Sequence, residues 1–375
     1  MNLKRMICMA LVWMLLLCGC SQTSQPAPQP TTESAQAAVE ETTEPHALRL
    51  TQESNVRKAT YEGKSAYTDF LEKAEKLFLI PGLKQVLTPQ GIASCPTTGR
   101  TYISAYSVDD IPSAVMVLEA DSHTLAAEYY LYYPDGTPFT SHVGGVAVTE
   151  AHLYLSAALD NDGSYQIAAI PLENLPQEGA HDITVEQTIP MAMSPSMMNY
   201  SGGYLWVGNF YHPGAKYDLS PNMHYTTRAE DGSEYGCYIL GFDMSQGHER
   251  LLTEETYPMP DVILAAPDRI QGVTLTGAQK VVLSQSYGRA NDATLLVYDL
   301  DISAQPDLEL TLNGQSVPAF LLDSKRQQDS INSIPMSEGL TTAPDGRVLV
   351  LYESGAIRYQ DGKHRTSYTW ALTVE

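Results

Sequence analysis

The sequence predicts an all-β fold, a β-propeller of five blades closed by an N-terminal strand, with six blades as the alternative count. Three observations predict it. A strand-turn-strand phrase recurs five times along the chain. The recurrences stand roughly 50 to 75 residues apart, which fits a blade with decorated loops. The last recurrence has too little chain behind it for four strands, while an unassigned strand precedes the first. An irregular all-β sandwich is the competing architecture, and it gives no reason for that missing strand.

The chain opens with Lys4 and Arg5 and an apolar run from Met6 to Leu17. That length suits the core of a signal peptide and is short for a membrane span. The run ends Leu17-Cys18-Gly19-Cys20, an aliphatic residue and two small ones before a cysteine. This resembles the bacterial lipobox. The resemblance implies that residues 1–19 are a signal peptide, that Cys20 carries lipid (palmitate-type acyl chains), and that the chain is held on the outer face of a cell membrane. Residues 20–47 are the lipidated cysteine and a Ser/Thr/Gln/Pro-rich tether. The tether holds too little apolar surface to offset its chain entropy and is expected to stay disordered. Residues 48–375 form the propeller domain. Ser65–Leu77 reads as a short amphipathic helix, with Tyr67, Phe70, Leu71 and Ala74 on one face. Lys76–Val86 reads as the closing strand.

The five phrases begin at Pro89-Gln90-Gly91, at His142-Val143-Gly144-Gly145, at Ser194-Pro195-Ser196-Met197, at Ile270-Gln271-Gly272 and at Ser337-Glu338-Gly339. Each leads through a turn into a second strand: Thr101–Ser104, Leu153–Ser156, Leu205–Gly208, Val281–Ser284 and Val348–Leu351. The turns carry Gly99, Gly202-Gly203, Gly277 and Asp345-Gly346, as hairpins require. Third strands are legible at Ala114–Leu118, Tyr165–Ile170, Tyr238–Phe242 and Thr294–Tyr298. Weaker fourth strands stand at Ala126–Tyr133 and Leu308–Leu312. Tyr211–Tyr235 and Val317–Ile334 read as long loops.

The net charge of −22 argues against nucleic acid and against anionic membrane surfaces as partners, since both are polyanions. Of the 5 cysteines, Cys95 and Cys237 fall in the folded part, and they read as two buried free thiols, with a disulfide between them as the alternative. Tyr outnumbers Phe 23 to 6, which suits half-wet strands and binding surfaces. Oligomeric state has no signature in the sequence.

The phrases at 89–93, 102–107, 135–138, 142–147 and 205–208 are similar to a family of secreted and lipid-anchored β-propellers of Gram-positive bacteria. More distantly the units resemble strictosidine-synthase-like and gluconolactonase-like propellers. The resemblance implies fold and location and carries no catalytic residue across.

In a propeller the inner-strand starts and the second-strand ends share one mouth of the channel. The starts offer Gln90, His142, Ser196, Gln271 and Glu338. The second-strand ends offer Tyr106, Ser107, Asp160, Asn209 with Tyr211 and His212, Ser286 with Tyr287 and Arg289, and Glu353 with Ser354. Amides, aromatics, one Arg and a few carboxylates suit a polar ligand with a flat face, such as a sugar, a nucleoside, a peptide or a surface protein. The same polar residues also serve as blade-locking hydrogen bonds in a purely structural platform. A metal-assisted hydrolase of lactone, ester or glycan would draw on Glu338, His142 and Asn209. No cofactor is expected. Calcium is the one ion to weigh, and Asp160-Asn161-Asp162-Gly163 lacks the spaced ligands and closing Glu of a calcium loop, so it reads as a turn. The sequence holds no nucleophile elbow, HExxH, CxxC or phosphate loop.

Overall fold

Alternation with a period of two governs the second strand of every blade, and neither face of these strands is left to water. In the second strands, Leu153 and Leu155 pack toward the first blade while Tyr154 packs toward the third. Leu205 and Val207 face the second blade and Trp206 the fourth. Val282 faces the fifth blade, and Val281 and Leu283 the third. A strand buried on both faces reads as a near-continuous apolar run, which is how these five segments read. The apolar core is accordingly divided into five clusters, one between each pair of neighbouring blades.

The structure, a computed structural model, describes residues 47–374 apart from 108–110, 159–164, 215–222, 224–225, 254 and 278. The expected signal peptide, Cys20 and the tether up to residue 46 lie outside the described residues, as does Asp160-Asn161-Asp162-Gly163. Glu44–Glu375 forms one compact unit. Five sheets, each with four antiparallel strands at its heart, make five blades. Their inner strands are Thr88–Ser94, Val146–Val148, Met197–Ser201, Ile270–Leu275 and Ser337–Thr342. The first blade runs outward through Thr101–Tyr106, Ala114–Leu118 and Leu125–Tyr132, and the second through His152–Ala158, Tyr165–Pro171 and Gln187–Pro190. The third uses Tyr204–Gly208, Cys237–Asp243 and Val262–Ala266. The fourth uses Lys280–Gln285, Ala293–Asp299 and Gln327–Ser333.

The fifth blade supplies only Val348–Tyr352 and Tyr368–Leu372 after its inner strand. Its outer strand is Ala74–Leu79, antiparallel to Tyr368–Leu372 with Lys76 opposite Trp370. The two ends of the chain thus complete one sheet, as expected. The closing strand is shorter and earlier than the expected Lys76–Val86, because Pro81 and Gly82 (φ 77°) turn the chain away after Ile80. The helix is also shorter than Ser65–Leu77: a 3₁₀ turn at Ser65–Tyr67 and an α-turn at Thr68–Lys73 hand over directly to that strand. Tyr61 and Phe70 then pack on Trp370, with ring centroids 5.8 and 5.1 Å away.

Two expectations need correction. Leu308–Leu312 is not the outer strand of the fourth blade. It forms a hairpin with Gln315–Leu321, which runs parallel to Val262–Ala266 and widens the third blade. The segment read as a loop at Val317–Ile334 supplies that strand and Gln327–Ser333. Both are polar on their exposed face, so they lack the uniform apolar run of the inner strands. The second blade behaves alike: its outer connection lays Gly179–Thr184 parallel to Leu125–Tyr132 of the first blade. Each excursion covers an outer edge that would otherwise present unpaired main chain. Cys95 and Cys237 are buried free thiols in the first and third blades.

At the centre the inner strands touch main chain to main chain. A Cβ on Gly145 would lie 2.5 Å from the Met198 nitrogen, and one on Gly144 would lie 2.4 Å from the Ser196 carbonyl. A Cβ on Gly272 would meet the Glu338 carbonyl at 2.5 Å, and one on Gly339 the Ile92 nitrogen at 2.8 Å. Gly145→Ala or Gly272→Ala should therefore lower unfolding stability by about 2 to 4 kcal/mol, because backbone cannot yield as a side chain can. Gly277→Ala, where nothing stands within 4 Å, should change it by less than about 0.5 kcal/mol. Urea unfolding of the three variants checks this.

Candidate functional site

Three inner strands slip register at the same place. The slips fall between Pro89 and Gly91, between Ile270 and Gly272, and between Ser337 and Leu340. A bulge of this kind re-aims a side chain and ends regular pairing. The bulged residues are Gln90, Gln271 and the Glu338-Gly339 pair. Serines of the second strands hold the main chain there. Ser104 Oγ accepts from the Gly91 N–H at 3.0 Å and donates to the Val143 carbonyl at 2.8 Å. Ser156 Oγ accepts from Gly145 N–H at 2.8 Å, and Ser284 Oγ bonds Ser337 Oγ at 2.7 Å. Just ahead of three inner strands, Val143, Arg269 and Met336 take positive φ of 43°, 60° and 66°. These are costly for residues with a Cβ and cluster at this mouth.

The bulges bring one polar chain across three blades. Gln271 Nε2 lies 3.4 Å from Glu338 Oε1. Glu338 is hydrogen-bonded to Glu353. Gln90 Nε2 donates to Glu353 Oε2 at 2.8 Å and to its own neighbour's Pro89 carbonyl at 2.9 Å. Glu338 and Gln90 are each 4% exposed, whereas Glu353 is half-buried and marks the outer end of the chain. Burial, and then the charge of Glu353, hold the Glu338 carboxyl well above the usual carboxylate range. Burial also pushes Glu353 up to about 7, against hydrogen bonds from Gln90, Tyr359 and Glu338 and the charge of Arg358, which favour its ionised form. Two carboxyls in contact cannot both ionise, so Glu338 keeps its proton and donates it toward Glu353.

Around the pair stand aromatic hydroxyls and a cation. Arg358 Nη1 donates to Tyr106 Oη at 2.6 Å, and its guanidinium lies 5.6 Å from the rings of Tyr106 and Tyr359. The Tyr359 hydroxyl stands close to Tyr106 and Glu353 and interacts electrostatically with both. The exposed ring of His142 leans on Tyr106 at 4.0 Å between centroids. Across the mouth, Tyr287 is 40% exposed, with His212 edge-on at 4.3 Å and Phe210 at 6.3 Å.

Of the residues singled out in the sequence, Gln90, Tyr106, His142, Gln271, Glu338 and Glu353 therefore converge. Tyr287 stands on the rim. His212 stands there with it, whereas Asn209, Tyr211 and Arg289 are engaged elsewhere. Asn209 is buried, with Nδ2 on the Gly236 carbonyl at 3.2 Å and Oδ1 taking the Tyr238 N–H at 2.7 Å. It therefore stitches the third blade. Tyr211 lies flat on Gly236, where a Cβ would meet its ring at 2.6 Å. Arg289 pairs with Asp361 at 2.8 Å and covers the Tyr359 ring at 4.8 Å, tying the fourth blade's loop to the fifth's. Sequence reasoning missed Arg358 and Tyr359, which follow Glu353 closely in the chain. It also missed the bulges, although the recurring Gln/Glu-Gly dipeptide and the Ser closing three of the five second strands were a sign of them. Among the described residues, no three His, Cys, Asp or Glu side chains gather as metal ligands.

No family model matches the chain, and no curated protein matches it. Solved structures are similar to it only at low identity. It is similar to the hydrazine synthase of Kuenenia stuttgartiensis (16% identity, TM-score 0.34, 72% of this chain and 57% of that one). It spans little more than half the length of that protein. It is also similar to a putative oxidoreductase (glucose dehydrogenase) of Thermus thermophilus (11%, TM-score 0.39, 80% and 99%) and to the Dos1 propeller (8%, TM-score 0.29, 76% and 71%).

The carboxyl pair has a signed consequence for stability. Glu353 holds its proton in the folded state up to about pH 7, while the unfolded chain releases it near 4.5. Its contribution to stability is thus full below about pH 4.5 and is lost as pH rises through 7. The melting temperature of Glu353→Gln, relative to the wild type, should rise by a few degrees between pH 5 and pH 8. A difference that stays flat over that interval would show that the pair shares no proton.

Proposed function

We propose that the protein is a cell-surface lipoprotein whose propeller binds a polar, donor-bearing extracellular ligand, a sugar or a peptide, at the mouth of the channel. The carrying observation is the Gln271–Glu338–Glu353–Gln90 chain, drawn from three blades onto one half-buried acceptor. A carboxylate held at the edge of water, with its neighbour protonated behind it, suits hydroxyl or ammonium donors. The flanking rings of Tyr106, His142 and Tyr287 offer flat apolar faces to a sugar ring or an aromatic side chain. Arg358 at the rim adds a cation for a mixed ligand. The signal-peptide pattern and Cys20 support anchoring on the outer face of the membrane, and the repeat phrases support kinship with the lipid-anchored propellers of Gram-positive bacteria.

Two experiments bear on this reading. The full chain on glycan and peptide arrays should retain a ligand, and Glu353→Ala or Tyr287→Ala should weaken that binding at least ~10-fold, with the melting temperature of the exposed Tyr287→Ala little changed. Arrays without a ligand, or unchanged affinity in both variants, would refute the binding role. Separately, cells fed labelled palmitate should label the wild type and not Cys20→Ser. Equal labelling would remove the anchor.

A further inference from the structure

We infer that a second site, a basic cleft between the segment 55–60 and the loop 360–365, binds the phosphate group of an anionic ligand. The cleft holds about 400 Å³ and is lined by Arg57, Lys58, Lys363 and Arg365, with Asn55 and Thr60 among its polar walls and no carboxylate. This is unusual in a chain of net charge −22. Among the described residues, most Lys and Arg side chains sit within ion-pair distance of a carboxylate, including Lys363 with Asp292 at 3.0 Å. Arg49, Arg57, Lys58, Lys64, Arg358 and Arg365 do not, and Arg57, Lys58 and Arg365 of that group all line this cleft.

The cleft is built before any ligand arrives. Asn55 Nδ2 donates to the Gly355 carbonyl at 3.1 Å, and the Asn55 and Val56 N–H groups donate to Ser367 Oγ. Thr60 Oγ1 donates to the Lys363 carbonyl at 3.2 Å and lies 2.8 Å from His364 Nδ1. Both walls are therefore pinned together. Arg365 is fixed by Nε on the Ser354 carbonyl at 2.7 Å and Nη2 on the Gly355 and Ala356 carbonyls at 3.2 and 3.0 Å. Among the described residues its Nη1 has no hydrogen-bond acceptor. A fixed guanidinium with a free edge, beside the exposed Arg57 and Lys58, matches a tetrahedral oxyanion. The overall negative charge does not cancel this, because ionic screening limits its reach to about 8 Å at physiological salt.

The phosphate could be free or carried by a lipid headgroup, and one experiment separates these sources. Titration calorimetry of the full chain with inorganic phosphate is run beside flotation with vesicles of phosphatidylglycerol and of phosphatidylcholine. The apolar N-terminal run would favour both vesicles alike, so only a preference for phosphatidylglycerol counts. Binding of inorganic phosphate, or that preference, should fall at least ~10-fold in Arg57→Glu/Lys58→Glu, should weaken with added salt and should leave the melting temperature unchanged. Phosphate bound by the wild type assigns the site to the group itself, whereas a phosphatidylglycerol preference alone assigns it to the headgroup. Neither probe bound, equal flotation on both lipids without phosphate binding, or binding unaffected by the double substitution overturns the inference.

Discussion

The close approach of inner-strand main chains at the axis governs the rest of the molecule. Five strands meet around a centre too narrow for side chains at every position. Gly91, Gly144, Gly145, Gly272 and Gly339 let one blade's backbone reach the next at distances that a Cβ would occupy. The third blade has Met197 and Met198 in place of glycine, and the glycine pair of the second blade lies against it. Asn199 of that blade donates to the Leu340 carbonyl of the fifth at 3.0 Å, so the centre is bridged as well as narrow. What chemistry the ring offers must lie at its mouth.

At that mouth the constraint on the backbone and the placement of polar groups are one event. The dipeptides Gln90-Gly91, Gln271-Gly272 and Glu338-Gly339 each bulge, with glycine serving the contact and the long side chain turned toward its neighbours. Two glutamines and two glutamates then share hydrogen bonds in a place where both acids cannot be charged. A fully satisfied network of this kind fixes its members firmly. The half-buried end at Glu353 is where that order meets water.

The outer rim follows a different logic. Two ends of one chain complete the fifth blade, and outer excursions from the second and fourth blades cover the edges of the first and third. The segment entering the domain is latched too: the Arg49 and Leu50 N–H groups donate to the buried carboxylate of Glu128 on the first blade. The basic cleft sits beside the meeting point of the termini, because the strand that closes the ring brings the segment 55–60 against the last loop.

The sequence by itself favoured five blades over six, called for a strand ahead of the first repeat to close the ring, and marked the polar residues that begin and end the inner hairpins. These are local: a period of two, a turn and a glycine are written in consecutive residues. It also marked Glu338 and Glu353 as neighbours in role, since an inner-strand start and a second-strand end share one side of a hairpin. Only the tertiary structure decided that their carboxyls touch, that Asn209, Tyr211 and Arg289 serve the scaffold, and that Leu308–Leu312 belongs to the third blade. Those outcomes depend on side chains and strands that meet across blades, and no spacing along one chain encodes which blade an amphipathic hairpin will cover. The cleft of Arg57, Lys58 and Arg365 is the extreme case, for its two walls are about 300 residues apart in sequence and adjacent only because the ring is shut.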